Sequence, residues 1–104
     1  MKYRLTFYVP SSDLVAVKEA VFAKGAGKFP GYDQCCWQTL GEGQFRPLAG
    51  SHPSIGQHGV LESLPEYKVE LLCSAECIAD VVCALKSAHP YEEPAYEVYR
   101  LEDF

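Results

Sequence analysis

Apolar and polar residues alternate from Lys2 to Val9, with Tyr3, Leu5, Phe7 and Val9 on one side and Lys2, Arg4, Thr6 and Tyr8 on the other. A period of two predicts a half-buried strand. Pro10 stops it, and Ser11 or Ser12 is placed to cap a helix. The period then lengthens: Leu14, Val17 and Val21 share one helical face, Ala16, Ala20 and Ala23 allow close packing, and Lys18 and Glu19 sit off the stripe. Gly25 suits the left-handed residue that closes such a helix. The same sequence of periods returns near the end of the chain. Tyr67, Val69, Leu71 and Cys73 alternate with Lys68 and Glu70 in a predicted strand from Glu66 to Cys73. Ser74 follows as a cap, with Glu76 near the positive end of the next helix. Ile78, Val81, Val82 and Leu85 stand at i, i+3, i+4 and i+7. Pro90 ends that helix, because the residue before a proline is pushed out of the helical region. A last strand runs from about Ala95 to Leu101.

The middle is different in character. All eight glycines fall between Gly25 and Gly59, together with Pro30, Pro47 and Pro53. Cys35 to Leu40 reads as a strand, Gly41-Glu42-Gly43 as a turn, and Gln44 to Leu48 as a returning strand. Ala49 to Gln57 reads as an irregular loop, and His58 to Leu64 as a further strand. Strand–helix–strand, a hairpin-rich middle segment, then strand–helix–strand is the order of two split βαβ units. It predicts an α+β, ferredoxin-like sandwich: one antiparallel sheet with both helices on one face. The opposite face would carry Arg4, Thr6, Tyr8, Lys68, Glu70, Leu72, Glu97 and Tyr99. That set is too aromatic to be simply solvated and too charged for an internal core, so a partner subunit is expected against it.

Composition narrows the function. The 104 residues are one domain's worth, 1–104, and 48% hydrophobic with 22% charged residues is a folded composition. Nine basic against fourteen acidic residues leave a net charge of −5, and the basic residues form no run. Nucleic acid is therefore set aside, since phosphate neutralisation needs clustered Lys and Arg. No window approaches the ~20 apolar residues that span a bilayer, and the N-terminus lacks a signal-like apolar run. Five cysteines, an odd number with no C-x-x-C, argue against a zinc or thioredoxin-type site. They read as small buried hydrophobes in a reduced, cytoplasmic setting.

Three stretches can carry chemistry. Gly25-Ala26-Gly27-Lys28-Phe29-Pro30-Gly31-Tyr32 can hold an anion in a backbone nest, with Gly25, Gly27, Lys28, Gly31 and Tyr32 as ligand-binding candidates. It follows a helix rather than opening one, and lacks the Ser or Thr of a Walker loop, so a helix stop and sharp reversal is its plainer meaning. His89-Pro90-Tyr91-Glu92-Glu93-Pro94 sets an imidazole and two carboxylates on an arc between two prolines. His89, Glu92 and Glu93 are donors suited to a divalent metal, and Tyr91 is a ligand-binding candidate; the alternative is a rigid connector with Tyr91 packed inward. His52 and His58, six apart in a glycine-bounded loop with Glu62 beyond, are further metal candidates. No G-x-S-x-G elbow or Cys–His signature points to a nucleophile.

Taken together, Gly25-Ala26-Gly27, Gly31-Tyr32, Cys35, Gly41-x-Gly43-x-Phe45-x-Pro47, Gly50, Pro53-x-Ile55-Gly56 and His89-Pro90-Tyr91-Glu92-Glu93-Pro94-Ala95-Tyr96 resemble the YqfO family (Nif-three-like, NGG-interacting factor), and within it the inserted middle domain. The His-Pro-Tyr-Glu-x-Pro portion is also similar to CutA, the divalent-cation tolerance family, whose trimers are akin to the PII signalling proteins. The resemblance implies a PII/CutA-like fold and a homo-oligomer, with a trimer favoured. It brings no catalytic residues, because the dinuclear metal site of the full-length family lies in outer domains. The leading expectation is a non-enzymatic oligomeric module that binds a small molecule, an anionic ligand or a divalent metal and acts by regulation or assembly. A metal-assisted hydrolase using His52, His58, Glu62, His89 and Glu92 is one alternative. A purely structural assembly domain relying on Tyr8 or Tyr99 is the other.

Overall fold

In the computed structural model, which describes residues 2–104, the first strand β1 (Lys2–Pro10) lies in the middle of a four-stranded antiparallel sheet. A short 3-10 turn over Ser11–Asp13 leads into helix α1 (Leu14–Ala23), followed by β2 (Trp37–Phe45), β3 (Glu62–Ser74), α2 (Ile78–Ala88) and β4 (Tyr96–Leu101). The strand order is β2-β3-β1-β4, the ferredoxin-like arrangement that the alternating periods predict. Leu5, Phe7, Val9, Val69 and Leu71 of the sheet and Val17, Val21, Val81 and Leu85 of the helices form the buried core. Each side chain of this kind contributes about 1.5–3 kcal/mol on burial, so the helix-covered face is what holds the fold together. Lys18, off the α1 stripe, donates from Nζ to Gln38 Oε1 at 2.8 Å and ties that helix to β2. No helix among the described residues is long and apolar enough to cross a membrane.

The face opposite the helices carries the expected residues in register: Arg4 opposite Leu72 and Tyr99, Thr6, which is buried, opposite Glu70 and Glu97, and Tyr8 opposite Lys68. Trp37, opposite Glu70 on β2, joins them and is largely exposed. Arg4 and Lys68 approach Glu70 at 4.0 and 3.8 Å, long and wet ion pairs of little energetic weight.

The middle segment differs from expectation in two places. Gly41-Glu42-Gly43 is not a turn; it lies inside the single strand β2, which pairs without a break from Trp37 against Glu70 to Phe45 against Glu62. Neither glycine has positive φ. A Cβ on Gly43 would run into the Glu66 side chain on the neighbouring strand, so the missing side chain makes room across the ladder instead of bending the chain. Likewise, His58 to Leu64 and Glu66 to Cys73 are not two strands, and Pro65 does not interrupt β3. Pro65 lies just beyond the β1 ladder, which ends at Pro10 opposite Glu66. Its carbonyl faces the Ser11 hydroxyl at 3.5 Å, and its missing N–H faces the same unpaired side, away from β2.

The serines do not cap either helix. Ser11 reaches Pro65, Ser12 donates to Asp13 Oδ2 at 3.1 Å, and the N-cap positions are Asp13 and Cys77, without side-chain cap bonds. Ser74 ends β3 and closes a turn whose Cys77 N–H donates to its carbonyl at 3.2 Å. Hydrogen bonds from its own backbone and from Ser74 hold the exposed Glu76 carboxyl below its usual range. Of the cysteines, only Cys73 is buried; Cys83 lies off the α2 stripe and is exposed.

Candidate functional site

The His89 arc and the 46–61 loop converge at the Glu66 end of the sheet. Helix α2 ends at Ala88, and His89, extended at ψ 136°, turns the chain under β1. The His89 ring is buried, with Nε2 2.7 Å from the Tyr8 carbonyl and Nδ1 3.1 Å from the Tyr91 N–H. A carbonyl only accepts and an N–H only donates, so the ring proton sits on Nε2 and both nitrogens are occupied. In this arrangement His89 braces the arc and has no lone pair directed at a metal.

Tyr91 is thereby aimed across the sheet end. Its hydroxyl donates to Glu66 Oε2 at 2.9 Å, and its ring stands 5.9 Å from that of Phe45, tilted by 58°. Burial, then the hydrogen bond from its hydroxyl to the Glu66 carboxylate, then the charges of Glu66, Asp13 and Glu62 push the Tyr91 phenol above its ordinary range. The Glu66 carboxylate reaches this position by lying over Gly43. From the other side, the loop is closed by the Gly59 N–H donating to the Pro47 carbonyl at 2.7 Å, and its His52 N–H donates to Glu92 Oε1 at 2.9 Å. Gly56, with φ +93°, packs against Phe45, Pro47 and Glu62.

These contacts border a half-open cavity of about 280 Å³. Tyr8, Phe45, Pro47, Pro53, Ile55 and Tyr91 line it together with the acidic residues Glu66, Glu92 and Glu93. An apolar hollow with a few convergent polar groups is the usual form of a small-molecule site. His52 and His58 both border a second, shallower hollow on the same loop, where the His58 Nε2–H donates to the Ser51 carbonyl at 2.8 Å. Among the described residues, no group of three or more His, Cys, Asp or Glu is arranged to hold a metal ion.

The glycine-rich candidate lies at the other end of β3. The Gly27 N–H donates to the Leu72 carbonyl and its carbonyl accepts from Cys35, both at 2.8 Å. Six residues of strand separate Leu72 from Glu66, about 20 Å. Phe29 and Tyr32 exchange backbone bonds of 3.0 and 2.9 Å around Pro30-Gly31, with Gly31 at φ +82°. Gly25 (φ +104°) closes α1 as expected. Lys28, Gly31 and Tyr32 are exposed and apart from the cavity. Of the predicted ligand residues, only Tyr91 joins Glu92 and Glu93 at the cavity. Sequence reasoning missed Tyr8, Phe45, Ile55 and Glu66 as wall residues, and only the β2–β3 register reveals that Gly43 and Glu66 meet.

No family model matches the chain. It is 43% identical over 94 residues to the GTP cyclohydrolase 1 type 2 homolog of Mycobacterium tuberculosis, a match covering 90% of this chain and 25% of that protein. With the Listeria monocytogenes protein of the same name it shares 40% over 100 residues, 95% of this chain and 27% of the other. The chain is a homologue of one segment of these proteins. It spans about a quarter of the length of the curated relatives it matches. A Bacillus cereus protein related to NIF3 superposes with a TM-score of 0.82 at 32% identity, over 98% of this chain and 26% of its own. The periplasmic divalent cation tolerance protein CutA of Archaeoglobus fulgidus (TM-score 0.69, 17% identity, 100% and 87% coverage) and GlnK of B. subtilis (0.60, 14%, 96% and 84%) share the fold. At 17% and 14% identity, CutA and GlnK are likenesses of fold.

Proposed function

We propose that this chain corresponds to the middle domain of the Nif-three-like (YqfO) proteins and is a non-enzymatic module that binds a small molecule in the Glu66-end cavity. The observation that carries the reading is the convergence of two segments distant in sequence, the 46–61 loop and the 89–95 arc, around one aromatic-walled hollow. A purely structural connector needs no hollow of this kind; a sensor does. Binding that tightens the His52–Glu92 link between loop and arc would convert ligand occupancy into a change of surface. The cyclohydrolase of the relatives' name belongs to proteins of which this chain spans a quarter, and no such activity is proposed for it.

The uncovered sheet face supports assembly as a second element of the same reading. Trp37 and Tyr99 are exposed there at 69% and 50%, an aromatic density that suits contact with another copy. Light scattering is expected to show an oligomer that Trp37→Glu dissociates. The binding reading is tested by calorimetry with nucleotides, divalent metal salts and small organic molecules on the wild-type chain and on Ile55→Trp, which fills the cavity. A saturable ligand lost in Ile55→Trp supports the site. A ligand retained at full affinity in that variant refutes it, and silence across the panel leaves only the assembly role.

A further inference from the structure

We propose that the Glu66-end cavity takes an organic cation, a protonated amine carried on a small aromatic body. This rests on the reading that the cavity is a ligand site and adds the chemical class of its occupant. Three aromatic residues, Tyr8, Phe45 and Tyr91, and three acidic residues, Glu66, Glu92 and Glu93, contribute to the lining, and no Lys, Arg or His does. Phe45 and Tyr91 are tilted by 58° instead of stacked face to face, which leaves ring surface for a third group. The carboxylates are held in place from within: Glu66 accepts from the Tyr91 hydroxyl, and Glu92 accepts from the His52 N–H. Glu93 is exposed beside them.

An anion entering this site meets three like charges with no basic group in the lining to offset them. A neutral molecule gains only apolar contact. A cation gains from the ring quadrupoles and from charge-assisted hydrogen bonds to the carboxylates together. The chain's net charge of −5 gives the long-range field the same sign. At about 280 Å³ the cavity is at the small end for ligand sites, which points to one ring with a short amine arm.

The test uses phenethylammonium, phenethyl alcohol and phenylacetate, which are similar in size and differ in charge, titrated into the isotope-labelled full chain and followed by NMR. Phenethylammonium is expected to bind about tenfold more tightly than the alcohol, with shifts centred on Tyr8, Phe45 and Tyr91 and with phenylacetate weakest. In the double variant Glu92→Gln, Glu93→Gln, an amide oxygen still accepts the His52 N–H. Its affinity for the ammonium is expected to fall about fivefold while that for the alcohol stays unchanged, because only the charge-assisted interaction is lost. Equal affinity for ammonium and alcohol, tighter binding of phenylacetate, or an unchanged ammonium affinity in the double variant overturns the cation assignment and leaves the cavity reading standing. No shift at the cavity with any of the three overturns the cation assignment, and the cavity reading falls with it when the calorimetric panel is silent as well.

Discussion

The two ends of β3 were marked by the same signal, glycine and proline beside polar groups, and they use it in opposite ways. At the Leu72 end, Gly27 is buried and both its backbone polar groups are taken by the protein, one by Leu72 and one by Cys35. At the Glu66 end, prolines 47 and 53 and Gly56 fold a loop over aromatic rings and leave a hollow. Backbone freedom is thus used for a close approach at one end and for a half-open hollow at the other. What separates the two is whether the main-chain donors and acceptors are already satisfied within the chain.

The comparison breaks most sharply at Gly27. A Cβ there would overlap the Cys35 backbone and the Phe22 ring, and φ is +76°. Gly27→Ala is expected to lose about 4 kcal/mol in urea unfolding, from left-handed strain and overpacking together. Gly31 has φ +82° but open space around it, so Gly31→Ala is expected to lose only about 1 kcal/mol. Similar losses for the two would mean that Gly27 is not the close-packed link between β3 and Cys35.

At the opposite end the corresponding support is polar. His89→Leu keeps bulk and leaves the Tyr8 carbonyl and the Tyr91 N–H without their present partner, at an expected cost of about 2 kcal/mol in the same measurement. Tyr91 loses its brace, so NMR shifts are expected at Phe45 and Glu66 as well. A variant as stable as wild type, with those signals unmoved, would remove His89 from the frame of the cavity.

How much of this could be read from the chain follows from the range of each interaction. The β1 alternation, the α1 and α2 stripes, Gly25 as a helix stop and Pro90 as a helix end depend on neighbours a few residues away, and all appear where expected. The uncovered face also came through, because two strands with intact alternation determine it once they pair. Gly43 in the expected turn, and residue 65 between the two expected strands, each look like a local break. Their actual role depends on what lies across the ladder: Glu66 beside Gly43, and an unpaired side beside Pro65. The cavity needs both of these and the loop closure from Gly59 to Pro47, none of which leaves a local pattern.

Alkaline pH gives the most discriminating test, because each end holds one acid whose folded state resists ionisation. At the Leu72 end, burial first, then the charge of and hydrogen bond with Cys77, raise the Cys73 thiol from 9.0 to about 12. At the Glu66 end, burial and the bond to Glu66 raise the Tyr91 phenol above its ordinary 10.0. In both cases the unfolded chain gives up its proton at a pH where the folded chain still keeps it. The unfolded state therefore binds fewer protons in that window, and stability falls as pH rises. Loss of stability is expected to begin near pH 9 through Cys73 and to steepen above pH 10 as Tyr91 joins. Urea unfolding between pH 8 and about 11 should show Cys73→Ala flattening the first part of that fall and Tyr91→Phe the second. If Tyr91→Phe leaves the slope above pH 10 unchanged, the phenol is exposed in solution, and the wall it forms with Glu66 is not closed.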